Sequence, residues 1–346
     1  MKIIRNEVAV SKNIKIKLFT HTDLDGVGCA VLAYLAFGRE NVDIEYCNYD
    51  DIDERVMKFL EGSTVPYNMC YITDISVSEK VAKEIDSRSW KEKVRLFDHH
   101  KTAEYLNKFD WCEVMDFMPF TDHIKTSGTQ IFYTYLRSQC TCLDPLSDKV
   151  QLNMSKFVNV VRDYDTWRWK ELGEEGIICK KVNDLFYIYG RDKFIRWITG
   201  QIYTFINPKD VFSSWENKQF PEFSSDDKAV LDQKQKDIDI YIDEKDKQLV
   251  QKTDSFGNIY GVVFAERYIS ELGNRLCELH PELTYVAMID ICKGSVSYRT
   301  VREDIDLGKE IAHSFGGGGH AKAAGSTFDR KAVMEIVTDT VFNVDC

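Results

Sequence analysis

No stretch of the 346-residue chain is both long enough and apolar enough to span a bilayer, and the segment Met1 to Lys17 mixes charged and apolar residues. A membrane partner is thereby excluded, and a soluble, cytoplasmic protein is expected. Cysteine pairs are lacking too. The ten cysteines are scattered, and several, such as Cys29, Cys70 and Cys292, sit in apolar segments that read as core. Only Cys140 and Cys142 come close, and a C-x-C spacing without a second pair is no zinc framework. Reduced, buried thiols are expected instead. Positive charge is short: 45 Lys and Arg stand against 56 Asp and Glu, a net charge of −11. This excludes the basic footprint through which proteins hold duplex DNA. It leaves room for a small polyanion held through metal ions, which favours short single-stranded RNA or small nucleotides over long polymers.

Apolar residues make up 44% of the chain and aromatics 12%, both spread along its length, so the chain folds. Its length suits two domains with separate cores. In the first half, β-rich runs at Ile14 to Thr20, Val42 to Tyr49, Tyr67 to Thr73, Lys93 to Phe97 and Cys112 to Met115 alternate with helical stretches such as Val27 to Phe37 and Val77 to Ser87. That order predicts a mostly parallel sheet in an α/β fold. Helices also fit Ser127 to Ser138, with Thr126 or Ser127 as N-cap, and Ser147 to Arg162, ending at Asp163. A charged helix follows from Ser224, with Leu231, Ile238, Ile242 and Leu249 on one face, as in a connector. From Asn258 a smaller α/β pattern begins. It comprises strand Ile259 to Ala265, helix Ile269 to Leu279, strands Thr284 to Ile291 and Ser295 to Arg302, helix Asp306 to Ser314, a glycine run and a last helix near Arg330.

His21, Asp23, Asp25, Asp74, Asp98, His99 and His100 all fall at the C-terminal ends of predicted strands, the edge at which open parallel sheets bind ligands. Asp163 ends a helix and is able to join them. Carboxylates gathered at one edge repel each other unless cations neutralise them. A donor set of carboxylates and a few imidazoles without thiolate suits Mn2+ or Mg2+ and is large enough for two ions. Two such ions activate water and stabilise an in-line phosphoryl displacement. Any one of these aspartates is as readily a turn or N-cap residue, but His-x-Asp-x-Asp-Gly after one strand and Asp-His-His after another argue jointly for a site.

Four consecutive glycines, Gly316 to Gly319, lack the Lys-Ser/Thr that would make a P-loop. They exceed what a helix cap needs, and Gly317, Gly318 and Gly319 with His320 let backbone N–H groups approach a phosphate. Arg299 offers a charge-assisted contact to the same group.

In order along the chain, HTDLDG at His21 to Gly26, the strand-end Asp74, DHH at Asp98 to His100 and RDYDTW at Arg162 to Trp167 resemble the motifs of the DHH phosphoesterase superfamily. FGGGGHAKAAG, Phe315 to Gly325, resembles the signature of the associated DHHA1 substrate-binding domain, and SYR at Ser297 to Arg299 fits its phosphate-contacting strand. The HTDLDGVGC and DYDTW variants look most like the nano-RNase B branch, which includes oligoribonucleases and cyclic-nucleotide phosphodiesterases.

The resemblance implies a DHH catalytic domain over 1–190, a helical linker region over 191–254 and a DHHA1 domain over 255–346. It implies two divalent cations, Mn2+ preferred and Mg2+ accepted. His21, Asp23 and Asp74 would hold one. Asp25, Asp74, His99 and a fourth-motif aspartate would hold the other, with Asp163 favoured over Asp165. Asp98, His99 and His100 would form the catalytic centre, Asp98 orienting an imidazole and His100 contacting the substrate phosphate. The expected activity is hydrolysis of short RNA to nucleoside monophosphates. Alternatives are a cyclic-nucleotide or 3′-phosphonucleotide phosphoesterase and, in a different class, a catalytically silent nucleotide-binding regulator, which would lack part of the ligand set. A homodimer is compatible with all of these.

Overall fold

The computed structural model describes residues 14–62, 67–118, 124–140, 142–203 and 220–342. The chain divides into two compact units, 1–228 and 229–346. In the first, five strands, β1 (Ile16–His21), β2 (Val42–Cys47), β3 (Met69–Thr73), β4 (Val94–Asp98) and β5 (Cys112–Val114), form a sheet in the order β2-β1-β3-β4-β5. Every pairing in it is parallel. The expected α/β fold holds. After β1 the chain turns to one side for β2 and then crosses to the other for β3, so the order reverses between β1 and β3, and a crevice opens there at the strands' C-terminal ends.

Helix α1 (Leu24–Phe37) is apolar around nearly its whole girth and is buried almost throughout, as such a helix must be. Helix α2 (Ile52–Gly62) buries only Ile52, Val56 and Leu60, an i, i+4, i+8 stripe. Helix α3 (Glu79–Ser87) starts at Ser78, whose side chain caps Val81 N. Helix α4 (Gly128–Ser138) is capped by Ser127, and Phe132 and Tyr135 on it meet Tyr71 and Phe97 of the sheet in an aromatic cluster. Helices α5 (Asp148–Asp165), α6 (Glu174–Tyr189) and α7 (Arg191–Tyr203) complete the unit.

Helix α8 (Ser225–Asp246) leads into the second unit, where Ile238, Tyr241 and Ile242 pack with Leu272 and Leu276 of α9 (Ile269–Leu279). They cover one face of a six-stranded sheet ordered β10-β11-β9-β8-β7-β6. Its strands are β6 (Val250–Thr253), β7 (Ile259–Phe264), β8 (Tyr285–Asp290), β9 (Ser295–Arg299), β10 (Gly318–Gly319) and β11 (Ala323–Thr327). Along β8, Val286 and Met288 face that helical layer, and Tyr285 and Ala287 face Leu307, Ile311 and Ala312 on the other side. Helix α10 (Arg330–Phe342) ends the described chain.

Several boundaries differ from expectation. Helix α5 runs on to Asp165 rather than ending at Asp163. Residues 191–203, assigned to a linker, form α7 in the first unit, and the apolar side of α8 is core of the second rather than a free connector. The expected helix Asp306 to Ser314 is a π-turn over Leu307–Ile311 followed by a 3-10 turn over Ala312–Phe315. The described cysteines are all free and mostly buried, but Cys292 is exposed in the turn after β8. Among the described residues no helix is long and apolar enough to cross a membrane.

Ile238 is 1% exposed and Ile240, two residues on, is 58% exposed. Ile238→Ala is expected to cost about 3 kcal/mol in urea unfolding and Ile240→Ala no more than about 0.5 kcal/mol.

Candidate active site

Three strand ends and one helix end bring the acidic and imidazole groups of the first unit together. At the end of β1, His21 is followed by Asp23, which caps α1 by accepting from Gly26 N at 3.1 Å. Gly26 is obligatory, because a Cβ there would lie 2.2 Å from His21 O. Asp25, in the first turn of α1, is buried, and its two oxygens accept from Gly128 N at 2.6 Å and Thr129 N at 2.9 Å, the N-terminus of α4. Asp74 follows β3 in the left-handed region (φ 57), a strained conformation for a non-glycine residue. Gly128 permits it, since a Cβ on that glycine would approach Asp74 Cβ to 2.6 Å.

Asp98 at the end of β4 is turned to internal work. Its Oδ1 accepts from His99 N at 2.8 Å and lies 2.7 Å from His100 Nδ1, and Ser76 Oγ donates to Oδ2 at 2.5 Å. Burial acts to raise its pKa, yet the hydrogen bonds and charge of His100, with Ser76, hold it below the ordinary value. In return, although burial opposes it, Asp98 raises the pKa of His100. The other ring nitrogen of His100, Nε2, is 3.1 Å from the hydroxyl of Tyr49.

The remaining groups form two sets. His21 Nδ1 lies 2.9 Å from Asp23 Oδ2 and 3.8 Å from Asp74 Oδ2. His99 Nε2 lies 3.4 Å from Asp74 Oδ1, 3.4 Å from Asp165 Oδ2 and 3.8 Å from Asp25 Oδ2. Asp74 thus turns one oxygen to each set. Within His21–Asp23–Asp74 and within Asp25–His99–Asp165 the ligating atoms lie inside 4.8 Å of one another. His21 Nδ1, Asp74 Oδ2 and His99 Nε2 are buried without an aligned hydrogen-bond partner. Buried lone pairs facing one another across a gap are poorly satisfied by protein alone and suit a cation. Burial first, then the charges of Asp25 and Asp23, pushes the pKa of Asp74 and of Asp165 well above the carboxylate range.

Asp163, the aspartate favoured from the sequence, is not in either set. Its Oδ1 accepts from Arg162 Nε and Nη2 at 3.0 and 2.8 Å and from Arg168 Nη1 at 3.0 Å. Because α5 continues past it, Asp163 and Asp165 are rotated by about 200° from each other. Asp165 continues the stripe of Phe157 and Val161 at i+4 spacing, a signal the sequence carried. Tyr49 and the Gly128-Thr129 amides were missed, being separated in sequence from every motif, and so was Ser76, which lies two residues after Asp74 but carries no signal of its reach to Asp98.

In the second unit, β9 pairs β11 with Arg299 opposite Ala323, and the hairpin from β11 to β10 turns at His320, whose N–H donates to Ala323 O at 2.8 Å. Arg299 is half-buried, with Nη2 3.3 Å from Ser270 Oγ, and burial lowers its pKa. Gly317 and Gly319 are required by packing: added Cβ atoms would lie 2.0 Å from Gly325 O and 2.6 Å from Ala324 Cα. Gly318 has open space where its Cβ would be, so packing does not demand glycine there.

A parallel sheet of this order, carboxylates and imidazoles at its switch point, and a second mixed-sheet unit with a glycine hairpin define a phosphoesterase of the DHH superfamily, a hydrolase of phosphoric ester bonds. The comparisons agree. Oligoribonuclease NrnB of Bacillus subtilis (strain 168) is 34% identical over 331 residues, which cover 95% of this chain and 76% of that protein. The chain belongs to the NrnB family of DHH phosphoesterases. Among solved structures, a DHH-domain member of the S1p family of ribosomal proteins matches with a TM-score of 0.59 at 12% identity, over 98% of this chain and 89% of that one. RecJ of Thermus thermophilus in complex with Mn2+ matches with a TM-score of 0.55 at 14% identity, over 94% of this chain and 52% of that one. No family model matches the chain.

Two outcomes are expected. Asp165→Asn should weaken Mn2+ binding, measured by calorimetry, by about a hundredfold, and Asp163→Asn by no more than about threefold while costing about 2 kcal/mol of stability. The unfolded chain gives up the protons of Asp74 and Asp165 in the ordinary carboxylate range, whereas the folded, metal-free protein holds them to higher pH. The stability they contribute is therefore complete below the unfolded value and is lost as pH rises through the folded one. The rise in melting temperature on adding Mn2+ should grow as the pH is raised above the ordinary carboxylate range, because protons cease to compete for the same oxygens.

Proposed function

We propose that the protein hydrolyses short RNA oligonucleotides to nucleoside monophosphates with two divalent cations, Mn2+ in preference to Mg2+. The observation that carries this reading is Asp74, strained and buried, with one oxygen toward His21 and Asp23 and the other toward His99, Asp25 and Asp165. In this reading His21, Asp23 and Asp74 hold one ion and Asp25, Asp74, His99 and Asp165 the other. Bound there, such a pair supplies water activation at neutral pH and neutralises charge on the phosphate.

The chain's own residues supply order. Asp98 fixes the backbone of His99 through its N–H and the ring of His100 through Nδ1, so the His100 imidazole keeps its direction without reorganisation. His100, which keeps its proton to higher pH through Asp98, sets Nε2 against the Tyr49 hydroxyl, and this pair would offer a donor to a phosphate oxygen. Asp25 is held on its two oxygens by the start of α4, so its charge stays directed at the crevice. In the second unit Arg299, Gly318 and His320 are the substrate-binding residues of this reading, Gly318 because its open backbone admits close approach. NrnB bears the name of an oligoribonuclease, which supports RNA over other phosphoesters. The acidic chain supports short substrates over long ones.

The test is turnover of labelled short RNA, cyclic AMP and 3′-phosphoadenosine phosphate with Mn2+, with Mg2+ and with a chelator. RNA should be cleaved with Mn2+ and spared with the chelator. Asp23→Ala should lower turnover of every substrate by about a thousandfold or more. His320→Ala should chiefly raise KM, by about tenfold. Cleavage of cyclic AMP or 3′-phosphoadenosine phosphate without cleavage of RNA would replace the substrate. Full activity in Asp23→Ala or in chelator would refute the mechanism.

A further inference from the structure

Two large aromatic side chains tied to site residues, one by contact and one by sequence, are left to solvent: Tyr49, 62% exposed, which meets His21 and His100, and Trp167, 52% exposed, two residues after Asp165. Tyr49 follows β2. Its ring centroid lies 5.2 Å from that of His21 and 5.9 Å from that of His100, and its hydroxyl is fixed 3.1 Å from His100 Nε2. It therefore stands over both an imidazole of the ion-holding sets and the imidazole that faces the phosphate.

Trp167 comes two residues after Asp165, in the turn that ends α5. Its backbone is left-handed, φ 63, a conformation that costs a bulky residue and that glycine would adopt freely. The strain brings no burial in return, because the indole stays outside with Lys170 Nζ 4.6 Å from its ring centroid. A single exposed aromatic means little. Two of them, one indexed by its hydroxyl to a site histidine and the other kept in a strained turn beside a site aspartate, need a further reason.

We propose that Tyr49 and Trp167 are stacking platforms for the nucleobases of the substrate, so that recognition in this unit rests on aromatic faces rather than on basic side chains. The inference rests on the nucleotide hydrolysis proposed above and adds to it which part of the nucleotide the first unit reads. Aromatic stacking is tolerant of base identity and adds no positive charge, which fits a chain of net charge −11 acting on short single strands. The hydroxyl of Tyr49 sets the ring's position, and the ring makes the contact.

The test compares kcat/KM for diadenylate with that for an analogue in which the bases are replaced by hydrogen, in the full-length protein with Mn2+. In Tyr49→Ala and in Trp167→Ala the preference for the base-bearing substrate should fall by about tenfold, and Tyr49→Phe, which keeps the ring, should retain most of it. Equal losses on the two substrates, as a merely structural defect would give, or an unchanged preference in both alanine variants would overturn the proposal. If the wild-type protein cleaves neither substrate, the proposed reaction fails and stacking is read from binding instead. Calorimetry with adenosine 5′-monophosphate and with ribose 5-phosphate then decides: weaker binding of only the mononucleotide in Tyr49→Ala supports the platform, and equal weakening of the two overturns it.

Discussion

The constraint on which the site depends is the mutual repulsion of four aspartates, Asp23, Asp25, Asp74 and Asp165, gathered with His21 and His99 at one edge of a parallel sheet. Removing carboxylates from water while crowding them is unfavourable, and each local feature offsets part of that cost. Asp25 takes two amide donors at the start of α4, and Asp23 takes one from α1. At Asp74 and Asp165 burial and the neighbouring charges prevail, and both hold protons more tightly. A divalent cation at these oxygens would remove the repulsion altogether, so fold stability and cation binding are one linked quantity here.

The sheet order explains why these groups meet. Reversal between β1 and β3 opens a crevice at the strand ends, and His21 and Asp74 are the residues that stand where those two strands stop. Close approach of helices to that edge then selects glycine at Gly26 and Gly128, where a methyl group would strike His21 or Asp74. Helix α4, whose part in the site no motif announces, is thereby as necessary as the strands. It supplies the amides that hold Asp25 and the space that lets Asp74 adopt a left-handed backbone.

Much of this was legible because the signals are local. Strand ends follow from apolar runs stopping at His21, Asp74 and Asp98, and the α/β order follows from alternation of two periodicities. Which of the two aspartates, Asp163 or Asp165, stands beside the others was not legible, because it turns on whether α5 stops at Asp163 or adds two more residues. Arg162 and Arg168 claim Asp163, and only the two added helical residues aim Asp165 inward. The apolar face of α8 was also visible, but not what it covers: the pattern is the same for a free connector and for a helix packed on the β7–β8 sheet.

By itself the sequence determined which residue types end which strands, the mostly parallel character of the first sheet, and the excess of acid over base that favours small anionic ligands held through metal. These are properties of neighbours along the chain. Only the tertiary structure decided that Asp74 divides its oxygens between two sets, that Asp98 serves His99 and His100 internally, that Asp165 rather than Asp163 stands beside His99, and that Tyr49 reaches His100 across 51 residues. Those depend on strand order, helix phase and rotamer, which are fixed by packing between segments distant in sequence and leave no local trace.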